Sequence, residues 1–327
     1  MKGSILKSIL LCLILPKLAF ALSFPLPSAG NSIVGRVYTV TANGDQTLGE
    51  IGRQHDIGFY EMVEANPNLS PNHVGSGQQV VIPAKFILPP GRQGLVINLA
   101  ELRLYYYPKN SSSVITMPVG IGRQGWQTPK ATTTIVQKRT NPSWTPPKSV
   151  REYQESYGLY LPEVVPPGPD NPLGAYAMRL GLGDYLIHGT NEPWRVGERA
   201  SAGCIRMFPE DIEALFPQVP IGTKVQIIDQ PYMVGWSNGN LYLQAHLPLS
   251  EYRNTYGDGS GQAVQLVKAA IQGRNVAVNW DAVHQSVAEQ NGIPQIITSS
   301  GGTSYASADD NSSNYASSDD SFTFSGG

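Results

Sequence analysis

Cysteine is almost absent from this 327-residue chain, which carries only Cys12 and Cys204. A disulfide-stapled fold needs cysteines in pairs, and a structural zinc site needs three or four ligands at close spacing, so neither fits. The five histidines, at 55, 73, 188, 246 and 284, are scattered and show no metal-ligand pattern. Charge of one sign is also missing. Lys and Arg number 23 against 25 Asp and Glu, and charged residues are 15% of the chain. Nothing here forms the basic surface that nucleic acid requires. No apolar run approaches the roughly 20 residues of a membrane-spanning helix.

The longest apolar stretch stands at the start. Lys2 and Lys7 precede the run from Ile9 to Leu15, and Ala19-Phe20-Ala21 follows it. A basic flank, a short apolar segment and small residues two apart make a secretory signal peptide over 1–21, with cleavage after Ala21. Cys12 lies inside the apolar run behind Leu11, which is not the small residue that lipidation requires. The mature chain then keeps one thiol, Cys204. Without Lys2, Lys7 and Lys17 it has 20 basic residues against 25 acidic ones.

Composition divides the remainder. Residues 22–35 and 85–94 are rich in Pro, Ser and Gly and read as linkers. Between them, 36–84 carries the strand "RVYTV", the helices "TLGEIGRQH" and "GFYEMVEANP", and the strand "QQVVIP". Leu48, Ile51 and His55 share one helical face by their spacing, and Phe59, Met62 and Val63 share another. The expected unit is a small α+β domain of βααβ order. From 95 to 230 short β runs alternate with Gly/Pro turns, interrupted by the helix "FPEDIEALF" with Pro209 at its first position. That predicts a mainly β domain. The accessory segment 231–298 combines a strand with two helical stretches. The tail 299–327 is Ser, Gly, Asp and Asn, with "YASADD" echoed by "YASSDD"; it cannot bury a core and is expected to be disordered.

Two short motifs carry chemistry. "YLIHGT" places His188 at the end of an apolar strand, and "SAGCIR" places Cys204 after an intervening polar loop. A free thiol has a pKa of about 8.5, and a neighbouring imidazole can take its proton, giving a nucleophile for acyl transfer. Backbone N–H groups near Cys204 are candidates for holding an oxyanion. Spacing alone leaves open the blander possibility that Cys204 is packing and His188 structural.

Family resemblance bears on both regions. The segment "YTVTANGDQTLGEIGRQHDIGFYEMVEANPNLSPNHVGSGQQVVIP" resembles the lysin motif (LysM), through Gly44-Asp45-x-Thr47-Leu48, "EANPNL" and "GQQVVIP". That similarity implies a module for the N-acetylglucosamine of peptidoglycan or chitin. From Leu95 to about Pro231 the chain resembles the L,D-transpeptidase catalytic domain, in His188-Gly189-Thr190 followed by Ser201-Ala202-Gly203-Cys204-Ile205-Arg206. The implied fold is mainly β and β-sandwich-like. The subgroup that joins both domains is periplasmic and includes enzymes that anchor outer-membrane lipoproteins.

What the resemblance implies is specific. Cys204 would attack the carbonyl of residue three of a stem tetrapeptide, release D-alanine and hold the acyl group as a thioester. His188 would be the general base and acid. Gly189, Thr190, Ser201, Gly203 and Arg206 would support the site, and Arg195 and Arg199 are candidate clamps for the carboxylates of diaminopimelate. No cofactor or metal is implied. The partner would be peptidoglycan, with a diaminopimelate amine, an outer-membrane protein amine or water as acceptor. Many family members have histidine where this chain has Ala202; because the base is the earlier histidine, the change need not disable the enzyme. The rival reading is a non-catalytic wall-binding protein.

Overall fold

The computed structural model describes residues 21–299. The expected signal peptide up to residue 20 and the expected disordered tail from residue 300 lie outside the described residues. Among the described residues no helix is long and apolar enough to cross a membrane.

The N-terminal part consists of β1 (Leu22–Pro25), β2 (Ile33–Gly35), β3 (Tyr38–Thr41), α1 (Leu48–Gln54), α2 (Phe59–Ala65), β4 (Gln79–Ile82) and β5 (Lys85–Ile87). The expected βααβ order is present: β3 pairs antiparallel with β4, with α1 and α2 between them. A capping box starts α1, where the Thr47 hydroxyl accepts from Glu50 N–H at 3.1 Å and Glu50 accepts from Thr47 N–H at 2.8 Å. Leu48, Ile51 and Met62 are fully buried. His55 caps the end of α1, and Asp56 follows in the left-handed conformation, with φ 57°, which turns the chain toward α2.

Neither expected linker is one. In 22–35 and 85–94 the structure has β1, β2 and β5, and β2 pairs antiparallel with β5 from Ile33↔Ile87 to Gly35↔Lys85. The local Pro and Gly signals are real, but backbone pairing between distant short segments satisfies these N–H and C=O groups.

The catalytic part runs through β6 (Gly94–Asn98), β7 (Arg103–Tyr107), β8 (Ser113–Pro118), β9 (Ile121–Gly122), β10 (Ala131–Thr140), α3 (Lys148–Glu155), β11 (Tyr176–Leu180), β12 (Leu186–His188), β13 (Arg199–Ser201), β14 (Ile205–Arg206), α4 (Pro209–Leu215) and β15 (Lys224–Ile228). It is mainly β, but not a sandwich of two separate sheets. Nine strands form one sheet in the order β1-β8-β7-β6-β15-β10-β11-β12-β14. β10 makes the curl. Its residues Ala131–Thr134 pair with β15, and from Ile135 onward it pairs with β11 across a register shift between Ile135 and Gln137. Such a bulge bends the strand and increases its twist, so the sheet folds over its own apolar face. Leu95, Ile97, Ile135, Met178, Ile187 and Ile205 meet inside, closed off by Ile212 and Leu215 of α4.

The C-terminal part comprises β16 (Tyr232–Ser237), β17 (Asn240–Ala245), α5 (Arg253–Tyr256), α6 (Ser260–Ile271), α7 (Trp280–Glu289) and β18 (Gln295–Ile296). The three strands form an antiparallel sheet, and Leu241 and Leu243 pack on Ala263, Val267, Val283 and Val287 of the helices. Asn98 ties this part to the catalytic sheet by exchanging hydrogen bonds with the backbone of Gln230, at 3.0 and 2.9 Å.

A buried ion pair joins the N-terminal part to the catalytic sheet. Arg103 is fully buried, and its Nε and Nη2 donate to the two Glu61 oxygens at 2.7 and 2.9 Å. The same carboxylate accepts from Gly58 N–H at 2.8 Å, completing the cap of α2. Arg103 also donates to the Asp56 carbonyl at 3.0 Å and stacks 4.3 Å from the Phe86 ring centroid. Removing one member leaves an uncompensated buried charge. Arg103→Leu is expected to lose about 3–5 kcal/mol in urea unfolding. The double variant Arg103→Leu/Glu61→Leu is expected to lose less than Arg103→Leu alone.

Candidate active site

His188 and Cys204 come together because β12 and β14 are neighbours. The two strands pair in parallel, with Ile187 opposite Ile205 and His188 opposite Arg206. By that register Cys204, one residue before Ile205, lies across from Leu186, two residues before His188 on the neighbouring strand. The polar loop between the motifs folds back, as expected, through β13, which pairs with β9.

The histidine is set up as a neutral base. It is buried, and its Nδ1 lies 2.6 Å from the Gly189 carbonyl. That acceptor requires the proton on Nδ1 and leaves the Nε2 lone pair free. Burial, with the Arg206 guanidinium nearby, lowers the imidazole pKa to about 3. Cys204 is neutral as well, since burial raises the thiol above its ordinary value. Its sulfur makes a long contact, 3.9 Å, with the Asp184 carbonyl and no hydrogen bond to His188. Catalytic contacts of this kind often tighten only when substrate arrives.

The cysteine loop is tightly held. Gly203 has φ 105°, and a β-carbon there would lie 2.7 Å from the Tyr185 ring. Only glycine fits this backbone and this neighbour. The Ser201 hydroxyl donates to the Cys204 carbonyl and accepts from Gly203 N–H at 3.1 Å. Gly189 is needed for packing: a side chain would start 3.1 Å from Ile212 Cγ2. Thr190 accepts from Glu192 N–H at 2.9 Å, which turns the loop after β12.

The arginines separate. Arg206 donates to Glu192 at 3.1 Å, while its buried Nε has no protein partner. Arg195 is 40% exposed and makes only loose pairs, at 3.6 Å, with Glu192 and Glu198. Arg199, expected as a clamp, is engaged within the protein instead: it donates to Glu251 at 2.8 Å and to Ser250 at 3.0 Å. Its guanidinium fastens the segment before α5 to the catalytic part.

Sequence reasoning missed Thr128. This buried hydroxyl donates to the Gly203 carbonyl at 2.7 Å and accepts from Gly122 N–H at 2.9 Å. It pins the backbone just before the nucleophile to β9. Beside it, Arg123 stacks 3.9 Å from the Tyr153 ring and 4.8 Å from that of Trp126. This places α3, which buries no residue of its own, next to the cysteine loop.

Two outcomes test this geometry. Alkylation of Cys204 by iodoacetamide should keep accelerating as pH rises above the ordinary thiol range; a plateau at acidic pH would reveal a thiolate–imidazolium pair instead. Thr128→Val should change the alkylation rate, while Thr128→Ser, which keeps the hydroxyl, should restore it.

Comparison with known proteins places the chain. Residues 92–227 match the YkuD family, described as the L,D-transpeptidase catalytic domain. The Escherichia coli K12 protein named Probable L,D-transpeptidase ErfK/SrfK is 41% identical over 291 residues, covering 86% of this chain and 92% of that protein. Probable L,D-transpeptidase YcfS of the same organism is 44% identical over 240 residues, covering 71% and 75%. The solved catalytic domain of the Enterococcus faecium L,D-transpeptidase shares 20% identity over 42% of this chain and 96% of that one, with a TM-score of 0.32. With a cysteine and a histidine delivered by adjacent strands inside the matched region, the chain belongs to the L,D-transpeptidase family.

Proposed function

We propose that this enzyme acts in the periplasm on peptidoglycan, after export and removal of residues 1–21. Cys204 attacks the carbonyl of residue three in a stem tetrapeptide and D-alanine leaves, giving a thioester. An amine then resolves it. The observation that carries this reading is the pairing of β12 with β14, which brings Cys204 and a neutral His188, its Nδ1 committed to Gly189, onto neighbouring strands.

The proton inventory follows. Thiol and imidazole both start neutral, so the thiol proton passes to His188 Nε2 as sulfur attacks, and the imidazolium formed gives it to the departing D-alanine nitrogen. His188 then takes a proton from the incoming amine. The Gly189 carbonyl stabilises that imidazolium through Nδ1–H. The free Nε of Arg206 is a donor for a substrate carboxylate, and Arg195 is a second cation at the loop. Arg123, Trp126 and Tyr153, the two rings set edge to face, supply a wall for the rest of the stem or its sugar.

The acceptor is a diaminopimelate side chain of another stem or the amine of an outer-membrane protein, the second being favoured by likeness to the anchoring subgroup. The βααβ unit over 36–84 serves as the LysM-type grip on the glycan strand.

Intact-protein mass spectrometry with tetrapeptide muropeptides tests the chemistry. Wild type should gain the tripeptide acyl mass and free D-alanine, and Cys204→Ala should do neither. His188→Ala should lose at least about 10²-fold in D-alanine release, while Ala202→His should retain activity. A wild-type protein that forms no adduct and releases no D-alanine would overturn the proposal; release into water alone would restrict it to a carboxypeptidase.

A further inference from the structure

The first strand begins at the expected cleavage point, and its first nitrogen meets a buried acid. Leu22 N lies 2.8 Å from Asp56 Oδ2. Asp56 is 4% exposed, and Asp211, at the start of α4, is 2% exposed. Burial and the neighbouring Asp56 push the Asp211 carboxyl well above its ordinary range. Asp56 Oδ1 and Asp211 Oδ2 are both buried without a hydrogen-bond partner.

We propose that the α-ammonium group created at Leu22 by removal of the signal peptide forms a buried ion pair with Asp56, fastening the mature N-terminus to the catalytic core. This rests on the export reading above and not on the transpeptidase chemistry. An exported-protein endopeptidase hydrolyses the Ala21–Leu22 amide. Water gives its hydroxyl to the Ala21 carbonyl carbon and a proton to the Leu22 nitrogen. That amine, with an ordinary pKa of about 8, takes a further proton from solvent.

Charge balance favours the pair. Leu22 N meets Asp56, and Asp56 in turn neighbours two further carboxyls, Glu61 and Asp211, and one guanidinium, Arg103. The outlying Arg53 is already matched by Glu210, at 2.8 and 2.9 Å. Even with one of the two aspartates protonated, the remaining carboxylates outnumber the guanidinium by one. A peptide N–H at Leu22 donates a hydrogen bond but no charge, and burial leaves Asp56 raised to about 7 and Asp211 well above its ordinary value. An ammonium supplies the missing charge and two further donors.

The cluster reaches the active site. Leu22 stands opposite Thr116, whose hydroxyl accepts from Arg103 at 3.3 Å, and Arg103 holds the Asp56 carbonyl. On the other side Asp211 adjoins Ile212, which packs on Gly189 beside His188. The uncleaved chain would therefore hold α4 and the histidine turn less firmly than the mature one.

The test uses the exported full-length chain. N-terminal sequencing should give Leu22 as the first residue. At pH 7 the Leu22 amine should react with an N-hydroxysuccinimide acetate at least about tenfold more slowly than in Asp56→Asn, since each unit added to its pKa removes a tenfold share of free amine. A mature chain carrying one extra glycine before Leu22 keeps Asp56 but moves the charge, and should melt about 5 °C lower or more. If Asp56→Asn does not fold, the glycine extension and a urea-unfolded wild type as labelling reference decide the matter. A different first residue, equal labelling in wild type and reference, or an unchanged melting temperature in the extended chain would each overturn the proposal.

Discussion

Everything in this molecule is arranged around a guanidinium that cannot reach water. Arg103 sits in the second strand of the catalytic part, and its partners come from α2 and the turn before it. Burying such a charge is costly, and only a complete set of acceptors makes it tolerable. Glu61 provides a bidentate pair and at the same time caps α2 through Gly58. The βααβ unit is therefore not a bead on a string. Its second helix also donates from Phe59 and Tyr60 to the carbonyls of Val196 and Gly197, in the loop between the two catalytic motifs.

That attachment bears on the chemistry. The loop reached by α2 leads into β13, and β13 leads into the cysteine turn. From the other side Thr128 holds Gly203, and α4 presses Ile212 against Gly189. Cys204 and His188 are thus positioned by backbone held on several sides, while burial keeps the thiol and the imidazole neutral. Rigid supports of this kind suit a site in which two side chains must keep their relative placement.

Much of this was legible in the sequence, and the rest fails for identifiable reasons. Helical spacing found α1 and α2, Pro209 marked the start of α4, and the two short motifs singled out His188 and Cys204. Residues 22–35 and 85–94 read as linkers because strands of three or four residues carry no periodicity, and their partners lie far along the chain. Glu61 carries no signal of its own in the sequence; its burial is matched by Arg103, which no local pattern announces. Thr128 escaped for the same reason, and Arg199 reads as a clamp in the sequence, since the partners that define them are Gly203 and Glu251. The β-sandwich expectation gave way to a curled sheet because one bulge in β10 does the bending that two sheets would otherwise do.

The parallel pairing of β6 with β15 has a consequence for how the protein comes into being. Val225 lies beside Leu95 and Ile227 beside Ile97, so the centre of the sheet is sealed by residues from its two ends. Both catalytic motifs lie in the stretch between. Contacts of such high sequence separation form slowly and late, because the loop entropy must be lost before the pairing is gained. A chain emerging from its N-terminus cannot complete this sheet until nearly the whole catalytic part is available. The order of synthesis alone would then leave the thiol without its supporting sheet until nearly all of that part has been made.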